Sequence, residues 1–306
     1  MSDGKAAWGP RLQALAAVVA GGLLAVGTAV HVVGDSGGRT VRAQQDSDAP
    51  RPATKGASSA VDPNTRLPRR GWKVVWSDEF GGRGAPSPGK WFIQSGDRGG
   101  WGVGGLAYYH QANVRRNGRG QLVIAATKDT SGTKCWYGRC QYRSGRIQTA
   151  GHFSLAYGRF AARIKFPTGK GIFPAFWLQS QHARYGSKRY AEIDIAEIFG
   201  ARPQQVLGAA HHTRRVRNLT ATLSRPVDSG YRLYGVDWSP TEIRWWVDGK
   251  VYGRMKRYPG WSFDQPMQII LNLQVGGKWQ GPPDASTPFP AAMSVDWVRV
   301  YESLRD

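Results

Sequence analysis

Cysteine is scarce: Cys135 and Cys140 are the whole supply in 306 residues. Two thiols with no His or acidic neighbour exclude a zinc ribbon or a cysteine-rich metal scaffold. Their spacing in Cys-Trp-Tyr-Gly-Arg-Cys suits a small disulfide loop, the reading expected of an exported chain. Long apolar runs are scarce too. Residues 12–30 form the single candidate, 19 residues in which Gln13 and Thr28 are the clearly polar members, preceded by Lys5 and Arg11. Residues 1–33 therefore read as a signal peptide or N-terminal membrane anchor. No cysteine closely follows the run, which excludes a bacterial lipoprotein anchor. Residues 34–69 lack apolar periodicity, are rich in Gly, Ser, Asp, Ala, Pro and Arg, and read as a disordered linker. The expected location is secreted, or anchored on the outer face of the cell membrane. Amphipathic helical periodicity is missing after residue 70, and no internal repeat appears.

Acidic residues are few, 21 Asp+Glu against 42 Lys+Arg, for a formal net charge of +21. The first 69 residues hold 8 basic and 5 acidic side chains, leaving 34 against 16, a net of +18, for the remainder. The positive field thus belongs to the domain and attracts polyanions, with an anionic cell-wall polymer as a candidate partner. No nucleic-acid motif accompanies the charge, so nucleic acid is not an expected partner.

Against that scarcity, Glu192-Ile193-Asp194-Ile195-Ala196-Glu197 places three carboxylates in six residues of an otherwise apolar, β-branched run. Such a run predicts a buried strand. Burying unpaired carboxylates is costly, and a pair flanking a bond is the equipment of glycoside hydrolysis. Alternation along a strand aims Glu192 and Asp194 at one face and Glu197, five positions on, at the other. One extra residue, a β-bulge near Ile195 or Ala196, returns Glu197 to the face of its partners.

What is abundant fits a β protein. Forty Gly, 18 Pro and 13 Trp accompany short apolar runs bounded by Gly, Pro, Asn or Asp, and Val247-Asp248-Gly249-Lys250 carries a hairpin turn signal. One all-β sandwich domain over residues 70–306, acting as a monomer, is expected. Most Trp belong in its core. A minority is expected to line a groove, where indole faces can stack on the C–H faces of sugars. Gly102-Val103-Gly104-Gly105-Leu106-Ala107 lacks the strand–helix context of a dinucleotide fingerprint and reads as a loop. Of His211 and His212, one is expected to face the cleft. Arg214 to Arg217 read as a solvated loop, and Asn218-Leu219-Thr220 as a glycosylation acceptor only in a eukaryotic host.

The ordered set Trp76-Ser77-Asp78-Glu79-Phe80, Ser144-Gly145-Arg146-Ile147-Gln148-Thr149, Tyr157-Gly158-Arg159-Phe160, Gly171-Ile172-Phe173-Pro174-Ala175-Phe176-Trp177-Leu178, the carboxylate motif, Leu271-Asn272-Leu273-Gln274-Val275-Gly276-Gly277 and Val295-Asp296-Trp297-Val298-Arg299-Val300-Tyr301 resembles glycoside hydrolase family 16, in its laminarinase-like endo-β-1,3-glucanase branch. The resemblance covers roughly residues 72–302. It implies a β-jelly-roll sandwich of two antiparallel sheets with a concave substrate cleft. By position Glu192 is the expected nucleophile, Glu197 the acid/base and Asp194 the assistant between them, in a retaining reaction that needs no cofactor. Trp177, Trp101, Phe173, His211, Asn272 and Trp279 are the candidate substrate contacts. The resemblance also implies a structural calcium on the convex face, held by Glu79, the Gly120 carbonyl and Asp296.

The chain departs from the family pattern near the cleft. An expected Trp-Pro pair is missing from residues 185–191, and Lys188 and Arg189 stand there instead. The family's polar loop is Val103-Gly104-Gly105 in this chain. A β-1,3- or mixed-linked β-glucan is the expected polysaccharide. The alternatives are a galactan or an anionic, sulfated polysaccharide facing Lys170, Arg184, Lys188 and Arg189, transfer to another sugar, or a non-catalytic glycan-binding protein.

Overall fold

A computed structural model describes residues 71–181, 187–212 and 215–304. The expectations for residues 1–33 and 34–69, and for Arg184 and Arg214, lie outside the described residues. Two antiparallel sheets face each other across one main apolar core. The cleft sheet has seven strands in the order Arg215–Thr222, Gln205–His212, Ala191–Glu197, Ile172–Ser180, Met267–Val275, Arg146–Gln148 and Phe92–Ile93. The larger sheet runs from Lys250–Lys256 through Glu242–Val247, Arg232–Trp238, Gly158–Lys165 and Ala291–Ser303 to Leu122–Lys128 and Val114–Asn117. Trp72–Asp78 pairs antiparallel with Ala291–Ser303. The sole parallel pairing among the described strands joins Ala107–Tyr109 to Tyr142–Ser144. Apart from the 3-10 turn Gln111–Asn113, the described residues form strands and loops, the expected all-β class.

Alternation builds these strands. Leu122, Ile124 and Ala126 are buried while the residues between them are half-buried, so one face enters the core. Phe176, Leu178, Ile193 and Ile195 from the cleft sheet meet Phe160, Trp238, Trp245, Val298 and Val300 in the core cluster. Each such side chain contributes roughly 1.5–3 kcal/mol by leaving water. Met267–Val275 is buried along its whole length, although Gln268, Asn272 and Gln274 sit on the alternate face from its core residues. The cleft floor is therefore sheltered as well. The Asp248–Gly249 turn has positive φ at both residues, 49° and 78°, as the hairpin signal requires.

A second, smaller apolar cluster joins Trp246, Trp297, Tyr301, Ala161 and Leu233, with Trp72 packed against it. Arginines cover it: the Arg159 guanidinium lies 4.5 Å from the Trp72 ring, and that of Arg299 4.2 Å from Trp297. Arg215 to Arg217, expected in a loop, instead open the edge strand Arg215–Thr222, because that segment pairs with Gln205–His212. The Gly102 region turns into the strand Ala107–Tyr109 with only the 3-10 turn Gln111–Asn113 following, so the dinucleotide reading stays excluded.

Candidate active site

The carboxylate strand Ala191–Glu197 carries the bulge that its spacing predicts. Against Ile172–Ser180 the register steps from Trp177↔Asp194 to Phe176↔Ala196, leaving Ile195 extra. Against Gln205–His212 it steps from Asp194↔Ala209 to Glu197↔Leu207. Glu192, Asp194 and Glu197 therefore share the cleft face, while Ile193 and Ile195 are fully buried in the core. Opposite them stand Gln179, Trp177 and Ala175 on one neighbouring strand, and His211, Ala209 and Leu207 on the other.

Each acid has a different set of partners. His211 Nε2 lies 2.9 Å from Asp194 Oδ2 and 3.9 Å from Glu192 Oε1. Burial pulls the His211 imidazole down. The Asp194 hydrogen bond and the charges of Asp194 and Glu192 outweigh it and raise His211 to about 9, so it is a cation at neutral pH. The Tyr190 hydroxyl donates to Glu192 Oε2, and accepts from Gln179 Nε2 at 3.1 Å.

Burial and the neighbouring Asp194 raise Glu192 above the ordinary carboxylate range, and His211, Tyr190 and Arg146 hold it back. Glu197 rises well above that range, through burial first and then the charges of Asp194 and Glu192. Its perturbers all act upward. Two carboxyls on one face are thus driven apart: Glu192 ionises first and Glu197 keeps its proton longer. The group titrates as coupled sites.

The expected sugar contacts fall on the same side of the sheet. Trp177 Nε1 donates to Asn272 Oδ1 at 2.8 Å. Trp101 has a left-handed φ of 54°, and its ring packs 5.2 Å from Tyr109. Phe173 stacks on Phe199 at 5.4 Å and meets Trp279 edge-on at 6.3 Å; Trp279 is 62% exposed. Of the two histidines, His211 faces the acids, while His212 Nε2 approaches the Lys188 carbonyl.

Three cleft residues were not singled out by role. Arg146 lies 4.7 Å from the Trp101 ring and 4.8 Å from that of Trp177, a guanidinium between two indoles. Tyr190 donates to Glu192, and Gln179 donates in turn to Tyr190. Tyr190 was findable, since two residues before Glu192 means the same face. Of the cations considered for an anionic sugar, Lys170 is paired with Asp284 at 3.1 Å, while Lys188 and Arg189 are exposed.

Glu192, Asp194 and His211 present ligand-type atoms within 4.8 Å of one another. The His211–Asp194 hydrogen bond and the approach of His211 to Glu192 account for that cluster. The calcium expectation meets a different arrangement on the far sheet. Glu79 accepts from Arg299 through both oxygens, at 2.8 and 2.7 Å, and Asp296 Oδ2 accepts from Arg163 at 2.9 Å. Two guanidinium groups already neutralise the two carboxylates, so this donor set does not fit a calcium ion as it stands. Cys135 and Cys140 are joined in a disulfide across the hairpin Lys134–Cys135 and Gly138–Arg139. That hairpin docks on the cleft-end loop: Trp136 Nε1 donates to the Gly105 carbonyl at 2.9 Å, and the Tyr137 hydroxyl to that of Leu106 at 2.6 Å.

Comparison with known proteins agrees with this geometry. Residues 106–299 match the family described as glycosyl hydrolases family 16. A beta-glucanase of Rhodothermus marinus is 37% identical over 256 residues, 75% of this chain and 85% of that protein. A keratan-sulfate endo-1,4-beta-galactosidase of Sphingobacterium multivorum is 30% identical, over 80% of this chain and 59% of its own length. The catalytic domain of an endo-1,3-beta-glucanase (laminarinase) from Thermotoga petrophila RKU-1 superposes with a TM-score of 0.71 at 34% identity, covering 76% of this chain and 99% of that domain. With three carboxylates aligned by a bulge on the concave sheet of a jelly roll, and these relatives, the chain belongs to glycosyl hydrolase family 16 and is a glycoside hydrolase.

Proposed function

We propose that the protein is a retaining endo-hydrolase of a β-1,3- or mixed-linked β-glucan, with Glu192 as nucleophile, Glu197 as acid/base and Asp194 assisting. The observation that carries the reading is the opposed environment of two acids on one face. Tyr190, His211 and Arg146 favour the charge on Glu192, while burial and two acids keep the proton on Glu197. Glu192 attacks the anomeric carbon and the glycosidic C–O bond breaks. Glu197 gives its proton to the departing oxygen, leaving a glycosyl ester on Glu192. Esterification removes the Glu192 charge, one of the influences raising Glu197, which becomes the base that takes a proton from water. Attack of that water on the anomeric carbon frees the sugar with retained configuration. Asp194 lies between the two acids on the cleft face and pairs with His211 at 2.9 Å. Trp177, Trp101, Phe173 and Trp279 supply apolar faces for sugar rings, and Asn272, Arg146 and His211 supply polar contacts.

A galactan or sulfated glycan is the second reading. It is favoured by Arg146 in the cleft, by the exposed Lys188 and Arg189, and by the similarity to a keratan-sulfate galactosidase. The apolar run of residues 12–30 and the Cys135–Cys140 bond support action outside the cytoplasm, where the +18 domain can be held by anionic wall polymer.

The test is sugar release by wild type and Glu192→Gln from laminarin, mixed-linked glucan, galactan, agarose and carrageenan, with products resolved by size. Release from a β-glucan by wild type alone supports the reading. Release from a galactan or carrageenan alone moves the substrate to the second reading. Equal release by both proteins refutes the role of Glu192.

A further inference from the structure

The bulge that brings Glu197 to the cleft face leaves backbone groups outside the ladder, and two side chains from the opposite sheet take them up. Trp245 Nε1 donates to the Asp194 carbonyl at 2.9 Å, and the Tyr252 hydroxyl to the Ile195 carbonyl at 3.2 Å. Both donors cross the core from Glu242–Val247 and Lys250–Lys256. A buried carbonyl without a partner is costly, so each bond favours the bulged register over a regular one.

Two further features show that the contact is built. Tyr252 is itself the extra residue of a second bulge, since the register between its strand and Glu242–Val247 steps from Trp245↔Gly253 to Trp246↔Val251. That irregularity packs the Tyr252 ring against the main core, although it lies on an exposed edge strand. Gly208, on the strand beside the carboxylates, then clears the path. A Cβ there would lie 2.5 Å from Tyr252 Oη and 2.9 Å from Trp245 Cδ1. Two bulges and a glycine thus meet at one point behind the acids.

We propose that Trp245 and Tyr252 are positioning residues that lock the Asp194–Glu197 bulge and so aim Glu197 at the glycosidic oxygen. They touch no substrate and act through the backbone. A one-residue slip would turn Glu197 toward the other face while leaving Glu192 and Asp194 in place. Loss of the lock should therefore damage proton donation more than nucleophilic attack. The titratable neighbours of Glu197 are Asp194 and Glu192 on its own strand and Tyr252 across the core, with His211 acting through Asp194. The inference rests on the acid/base role given to Glu197 above.

The experiment compares kcat/KM, which reads the first chemical step, on two substrates. One is the polymer that wild type cleaves. The other is a dinitrophenyl β-glycoside of the matching oligosaccharide, whose leaving group departs without a proton. Tyr252→Phe removes one oxygen, and Gly208→Ala pushes both donors away without removing either. Each is expected to lose between tenfold and a hundredfold on the polymer and less than about threefold on the activated glycoside. Glu197→Ala is the reference and should show the same split more strongly. If Glu197→Ala shows the split but both other variants match wild type, or lose equally on the two substrates, the positioning role is overturned. If Glu197→Ala itself loses equally on both, the acid/base assignment fails, and this inference falls with it for that separate reason.

Discussion

Replacing His211 with Gln tests the electrostatics of the cleft. The amide can still donate to Asp194, so the change removes the charge and keeps the hydrogen bond. His211 Nε2 is 3.9 Å from Glu192 Oε1. Opposite unit charges at that range attract by about 1 kcal/mol in water and about 4 kcal/mol at the effective dielectric of a protein surface. The two side chains are 33% and 19% exposed, which places the interaction toward the lower figure, about 1–2 kcal/mol. At about 1.4 kcal/mol per pKa unit, Glu192 should hold its proton to a pH about one unit higher in the variant. Because Glu192 must be ionised to attack, the acid limb of kcat/KM against pH is expected to move up by about one unit. The alkaline limb, set by the proton on Glu197, should not move up with it. The assay is initial rates across pH at constant ionic strength on a soluble substrate. An acid limb that stays in place or moves down would refute the claim that His211 is a cation in the free enzyme.

Other expectations follow from the same contacts. The double variant Cys135→Ser/Cys140→Ser loses a short-loop constraint worth about 2 kcal/mol and should melt roughly 5 °C lower by calorimetry. Its KM should rise, because the hairpin clamps the loop that carries Trp101. Gly145→Ala places a Cβ 2.3 Å from Val114 Cγ2, so overpacking by about 1–3 kcal/mol is expected in denaturant unfolding. Millimolar calcium should leave the melting temperature unchanged, since Arg299 and Arg163 occupy Glu79 and Asp296. A rise that grows with calcium concentration would show the ion displacing them.

The parts of the site legible in the sequence are those fixed by local spacing. Three carboxylates at i, i+2 and i+5 dictate a bulge if all are to face the cleft, and the register steps where that spacing requires. The Asp248–Gly249 turn and the Cys135–Cys140 bridge were likewise local. The lock behind the acids was not, because Trp245 lies 51 residues from Asp194 and Tyr252 lies 57 from Ile195. No periodicity within one strand encodes a contact across the core. Arg146 stood in a recognised Ser-Gly-Arg piece, yet its place between Trp101 and Trp177 depends on a loop and a strand that meet it only in the fold. The loop expected for Arg215 to Arg217 failed for the same reason: a cation-rich stretch becomes a strand when a neighbouring edge supplies its hydrogen bonds.

The 13-residue strand Ala291–Ser303 lies in the interior of the larger sheet, flanked by Gly158–Lys165 on one side and by Leu122–Lys128 and Trp72–Asp78 on the other. Synthesis runs in the opposite sense, since this central strand leaves the ribosome after all three of its neighbours. Until then those neighbours present unpaired edges, and the two halves of the sheet cannot join. The larger sheet is therefore completed only by the last of these strands to be made. A nascent chain stalled before residue 291 should remain open to proteolysis and to capture by chaperones.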